Sequence, residues 1–176
     1  MRLTGFIALL LGAVLLAGCK KSGDATATPP SPDDGLPTQA QPKLPTMKIY
    51  LGAETLDTEM ALTDKQIRTG MMFRTNVTDE SAMLFVLPEP IHAPNGFWMT
   101  NCPESLSAAY ISPDGVIEEI HHLEKNDNVP VVSSHDNIVF VLEVNDGWFA
   151  RHHIGAGTVI RTEKGSLPET FLQNRQ

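Results

Sequence analysis

The sequence predicts a mainly β domain of α+β character: a compact antiparallel sheet or partial barrel with two short helices. Three observations predict it. Between residues 47 and 162 the apolar runs are short and bounded by Gly, Pro, Asn and Asp, which is the rhythm of strands and turns. The connections between them are too short for βαβ crossovers, which favours antiparallel pairing. Helix-terminus signals occur at two places, each followed by a short run.

Taken in order, Met47 to Leu51 alternates as a strand, Gly52-Ala53 is a turn and Glu54 to Ala61 is a second strand. Thr63-Asp64-Lys65-Gln66 has the form of a capping box, with Gly70 placed as a C-terminal cap, so a short helix lies between. Ala82 to Leu87 reads as a buried strand stopped by Pro88-Glu89-Pro90, and Gly96 to Thr100 as another. Leu106 to Ser112 and Val116 to His122 form a hairpin around Pro113-Asp114-Gly115. Ile138 to Val144 is the most apolar strand. Asn145-Asp146 then caps a short helix over residues 147–153, and Gly155 and Gly157 lead to a last strand, Thr158 to Thr162.

Ahead of this domain, residues 1–18 have the pattern of a signal peptide: Arg2, an apolar stretch from Leu3 to Ala17, and small residues at its end. The stretch is shorter than the about 20 residues an α-helix needs to cross a bilayer core. Leu16-Ala17-Gly18-Cys19 resembles the lipobox of bacterial lipoproteins, which implies acylation of Cys19 and anchoring to a lipid membrane in the cell envelope. Lys20 after the cysteine implies the outer membrane, facing the periplasm. One acyl chain holds a protein only reversibly, so stable anchoring needs the two or three chains a lipoprotein carries. Residues 19–46 change to Pro, Ser, Thr, Ala, Asp and Gln, a composition that cannot offset its ordering entropy, and read as a disordered tether spanning on the order of 30 Å. Residues 47–176 are the domain.

The charge excludes a partner class. The chain carries 13 Lys and Arg against 21 Asp and Glu, and residues 47–176 alone hold 9 against 18. With no basic run, no nucleic acid partner is expected.

Several blocks together resemble the DUF192 family: Gly70-Met71-Met72-Phe73-Arg74, Met83-Leu84-Phe85-Val86, Phe97-Trp98-Met99 with Asn101, Asp114-Gly115, and Val141-Leu142-Glu143 followed by Gly147-Trp148 and Ala150-Arg151-His152. The resemblance spans about Met47 to Arg161 and implies a fold and a set of candidate positions, without a reaction. Two positions depart from the family pattern. Thr100 stands where the family usually has Lys, and Ser107 where it usually has Asp, a paired loss that fits a salt bridge removed whole. Cys102 stands where the family usually has Thr.

Arg74, Asn101 and Glu143 are polar residues set in apolar blocks. Arg74 and Glu143 could form a buried pair with Asn101 closing the network, or Arg74 could clamp an anionic ligand beside Trp98. Trp98 and Trp148 suit either the core or a stacking surface. The histidine pairs His121-His122 and His152-His153 lack metal spacing, since neighbours on a strand face opposite ways, and no HExxH or CxxC occurs. Met71, Met72, Met83, Met99 and Cys102 are soft enough for copper, though such methionines also fill cores. With Cys19 acylated, Cys102 is a lone thiol. No catalytic residue, metal site or cofactor is assigned. The expected function is a non-catalytic module that binds a small ligand or an envelope partner through Arg74, Trp98, Asn101 and Glu143. The alternatives are an enzyme of unknown reaction, an assembly factor of an envelope complex, and a copper-binding periplasmic protein.

Overall fold

The computed structural model describes residues 35–173, so the leader, Cys19 and most of the tether lie outside the described residues. The domain is mainly β, as expected: a curled eight-stranded sheet forming a half-barrel, with three short helices. Strands β1 (Thr46–Leu51) and β2 (Glu54–Ala61) form the first hairpin, turning at Gly52 with φ 61°. Helix α1 (Asp64–Thr69) starts at the expected capping box, in which Thr63 Oγ1 accepts the Gln66 N–H and Gln66 Oε1 accepts the Thr63 N–H.

Next come β3 (Ala82–Ile91), β4 (Gly96–Phe97), β5 (Leu106–Ile111), β6 (Ile117–Leu123), β7 (Val131–Val132) and β8 (Ile138–Asn145). Helix α2 (Trp148–Arg151), β9 (Ile160–Thr162), β10 (Gly165–Ser166) and α3 (Leu167–Phe171) complete the order. The main sheet runs β10-β9-β1-β2-β3-β8-β5-β6, while β4 and β7 pair separately. An isolated bridge between Val116 and Val159 joins the chain just before β6 to that just before β9, which curls the sheet on itself.

Five expectations are corrected. Strand β2 pairs parallel with β3, Glu59 opposite Met83, because α1 and the turns after it supply a crossover that the other connections lack. Strand β3 continues through Pro88 and Pro90 to Ile91, and its register with β8 shifts between Val86 and Ile91, an irregularity where prolines are tolerated. The strand expected over Gly96 to Thr100 shrinks to two residues. Helix α2 begins after Gly147, in the left-handed region at φ 71° with no side-chain cap. Asn145 instead donates to Asp79 Oδ1 at 2.8 Å, and Asp146 accepts from Ser107 Oγ at 3.2 Å. Helix α3 was not expected, although Ser166 and Glu169 form a second capping box around Pro168.

Residues 36–44, read as tether, pack onto the domain. Leu44 is buried, Leu36 lies against the same apolar cluster, and Gln41 Nε2 donates to the Gly70 carbonyl at 2.9 Å.

Strand alternation sorts the interior into two cores, one per face of the sheet. Leu84, Val86, Ala109, Ile111, Phe140 and Leu142 face one side with Trp148 and Phe149. Met83, Phe85, Ala108, Tyr110 and Val141 face the other, with Met71, Met72, Met99 and Cys102. Glu143, two residues after Val141 on β8, belongs by parity to this second face.

Candidate functional site

Strand β8 carries the apolar run Ile138 to Val144, broken at one position by Glu143. Its register partners are Met83 on β3 and Ala108 on β5, both buried and apolar. A carboxyl placed there loses water on both sides. Glu143 is 3% exposed, and among the described residues no hydrogen-bond donor reaches it. Burial pushes its pKa up to about 8, against the opposing pull of the Arg74 charge.

What Glu143 does face is a cavity of about 310 Å³. Its wall is made by Ile67, Met71, Met72, Phe85, Phe97, Trp98 and Cys102, and Asp64 and Arg68 line it from α1. Local chemistry explains how the wall is held. Gly70 closes α1 with φ 47°, its N–H donating to the Gln66 carbonyl, and a Cβ there would stand 3.3 Å from the Phe85 ring. The glycine lets the following turn lie directly on that ring. Met72 and Arg74 N–H groups donate back to the Thr69 and Met71 carbonyls, which turns Met71 and Met72 toward the sheet. Phe97 meets Phe85 edge to face, with centroids 5.0 Å apart. Tyr110 ties β4 to β7, accepting the Phe97 N–H at 3.4 Å while donating to the Val131 carbonyl. Burial raises the Tyr110 phenol above its ordinary value, so it stays neutral.

The sequence candidates divide. Trp98 and Glu143 line the same cavity. Arg74 does not line it and does not pair with Glu143. Its Nη1 and Nη2 fork onto Glu59 Oε1 and Oε2 at 2.6 and 2.9 Å, and Glu59 Oε2 also accepts the Leu44 N–H at 2.7 Å. Burial works to raise the Glu59 carboxyl, but the Arg74 and Leu44 hydrogen bonds and the Arg74 charge outweigh it and hold it below its ordinary range. Both terminal nitrogens are committed to Glu59, and Nε is buried without a partner among the described residues, so Arg74 serves here as the partner of Glu59. Asn101 closes no side-chain network. It sits at φ 59°, and its backbone carbonyl accepts the Phe73 N–H at 2.7 Å, joining the turn that carries Met71 and Met72 to the one that carries Cys102.

Sequence reasoning did not single out Glu59, Phe85 or Phe97. Glu59 lies in an ordinary alternating strand, with nothing to separate it from Glu54 or Asp57. Trp148 is core, stacked on His152 with centroids 4.2 Å apart on the face away from Glu143. Thr100 Oγ1 donates to Asn128, whereas Ser107 Oγ donates to Asp146 and accepts the Gly147 N–H, so the two family departures share no partner. Cys102 is buried, and burial first, then the Glu143 charge, pushes its thiol up to about 12. Among the described residues no group of three His, Cys, Asp or Glu side chains could hold a metal ion.

A buried carboxyl with no hydrogen-bond donor among the described residues, facing an open apolar cavity, is the candidate site of this domain. The comparisons with known proteins agree with the fold and stop short of a function. Residues 47–162 match the family DUF192, described as an uncharacterized ACR, and the chain belongs to that family. Among solved structures, the chain is similar to a protein of unknown function from Novosphingobium aromaticivorans DSM 12444. That pair shares 27% identity with a TM-score of 0.61, over 82% of this chain and 99% of the other. It is also similar to a protein from Sinorhizobium meliloti 1021 described as a candidate transcription regulator. Here the identity is 25% and the TM-score 0.63, over 70% of this chain and 98% of the other. No curated protein matches the chain.

Proposed function

We propose that this domain is a non-catalytic binding module that takes one small, mainly apolar molecule into the cavity over Glu143. The observation that carries this reading is the cavity itself: apolar walls converging on one buried carboxyl that has no hydrogen-bond donor among the described residues. Its volume is about twice that of an engineered cavity that binds benzene, roughly 150 Å³, which suits an organic molecule of modest size. An enzymatic reading has less support. Of the nucleophile types on the wall, the Cys102 thiol is pushed up to about 12 and the Thr69 hydroxyl donates to the Lys65 carbonyl, and no histidine lines the cavity beside them. Copper has one supporting observation, since Met71, Met72 and Cys102 share this wall. The volume argues for a larger occupant. The regulator description of the S. meliloti protein is not carried over, because a domain with 9 basic against 18 acidic residues has no footprint for nucleic acid.

The test uses methionine methyl resonances. Benzyl alcohol added to the protein is expected to shift the Met71 and Met72 methyls saturably while Met60, in the other core, stays still. Unmoved Met71 and Met72 methyls at millimolar ligand reject the cavity as a binding site.

The lipobox supports a second element of the proposal: the module is held in the bacterial cell envelope, at the outer membrane, by acylated Cys19. Cys19→Ser is expected to leave an unprocessed precursor that no longer partitions with detergent as a lipoprotein. Normal processing and partitioning of that variant reject the anchor.

A further inference from the structure

We propose that the occupant of this cavity is an organic ammonium with an apolar or aromatic body, its N–H groups donating to the Glu143 carboxylate and its body lying against Phe85, Phe97 and Trp98. This deepens the binding reading above and rests on it.

The geometry favours a cation over a neutral or anionic ligand. Among the described residues no hydrogen bond reaches the buried Glu143 carboxyl, so the site has vacant acceptors, and the one cation on its wall, Arg68, shares that wall with Asp64. An ammonium supplies both donors and charge. An alcohol supplies one donor, and an anion supplies none. Aromatic rings on the wall add to the same preference, because the negative face of a ring attracts a cation. Three rings, Phe85, Phe97 and Trp98, line the cavity. The other charged groups do not supply the missing charge. Arg74, in the turn after α1, is forked onto Glu59, and the pair is neutral as a unit. Asp64 and Arg68, on the α1 side of the cavity, balance one another. Cys102 and Tyr110, the neighbours that feel the Glu143 charge, are both neutral at pH 7. The domain's excess of acid steers cations toward it.

The chemistry has a proton balance. Free Glu143 holds a proton at neutral pH, since burial lifts its pKa to about 8. Binding an ammonium ionises the carboxyl and sends that proton to the buffer, roughly 0.9 proton per ligand at pH 7. Affinity therefore rises about tenfold per pH unit up to neutrality and flattens above pH 8.

The experiment is calorimetric titration of the full chain with benzylammonium chloride and, in parallel, benzyl alcohol, in buffers of differing ionisation enthalpy. Expected results are benzylammonium binding at least about tenfold tighter than the alcohol at pH 8, about one proton released near pH 6.5, and loss of the preference in Glu143→Gln, which still takes the alcohol. Alcohol binding as tight as the ammonium, with the Met71 and Met72 methyls shifting, overturns the ammonium and leaves the cavity reading standing. Binding of neither probe overturns both. Should Glu143→Gln fail to fold, proton release and the pH profile of the unmodified chain decide: no release, or a flat profile, overturns the proposal.

Discussion

Replacing Glu143 with Gln removes a loss of stability that the unmodified domain suffers as pH rises from about 5 to 8. Folding raises the Glu143 pKa from its ordinary value of 4.5 to about 8, and burial is the largest cause. Between those values the unfolded chain has released the proton and the folded chain still holds it. The folded state binds more protons, so stability falls as pH rises. The contribution is fully present below pH 4.5, declines by up to about 1.4 kcal/mol per pH unit, and is exhausted once pH passes 8. The whole difference is on the order of 5 kcal/mol, a large share of the roughly 5–15 kcal/mol typical of a domain. Glutamine has nearly the same shape and no proton to lose. Urea denaturation at pH 5, 6.5 and 8 should give a falling series for the unmodified protein and, from this group, a flat one for the variant. Equal slopes in the two proteins would mean that Glu143 is solvated or paired, which would remove the basis of the binding site.

That carboxyl is visible in the sequence as an oddity, an acid inside the run Val139 to Val144, and the pairing with Arg74 that the sequence offers for it does not form, for a physical reason. Arg74 and Glu143 are the two charges set in apolar blocks, so pairing them satisfies local logic. The actual partner is set by topology. The crossover through α1 lays β2 parallel beside β3, Glu59 opposite Met83, and brings Glu59 to Arg74. No periodicity within β2 records that outcome. Features that depend on a few adjacent residues were legible, including the Thr63–Gln66 capping box, the turn at Gly115 and the alternation of β1. Those that depend on which strands become neighbours were not, among them the extension of β3 beyond Pro88 and the packing of Leu44. The cavity falls between these cases. Trp98 and Glu143 were singled out by their chemistry, but the wall of Met71, Met72, Phe85 and Phe97 reads in sequence as ordinary core.

Arg74→Ala is expected to destabilise the domain by about 3 kcal/mol at pH 7, the size of effect seen when one member of a buried ion pair is removed. Glu59 is 8% exposed, and without the Arg74 fork its carboxylate keeps one donor, the Leu44 N–H. The pH dependence runs opposite to that of Glu143. Folding lowers the Glu59 pKa, so its contribution is present above its unfolded value and is lost as pH falls through the folded one. The cost of Arg74→Ala is therefore largest near neutrality and shrinks as pH falls through the depressed folded value of Glu59, below which the carboxyl is protonated in both proteins. A double variant, Arg74→Met with Glu59→Gln, should recover most of the loss, since it strands no charge. Faster amide exchange at Leu44 should accompany the single variant, because the same carboxylate holds residues 36–44 to the sheet. A loss below 1 kcal/mol at pH 7, or a double variant no more stable than the single one, would show that the fork is not what holds Glu59 in the domain. A folded Arg74→Ala protein that still binds benzylammonium would separate the two carboxyls by role: Glu59 committed to the fold through Arg74, and Glu143 left without a partner for the ligand.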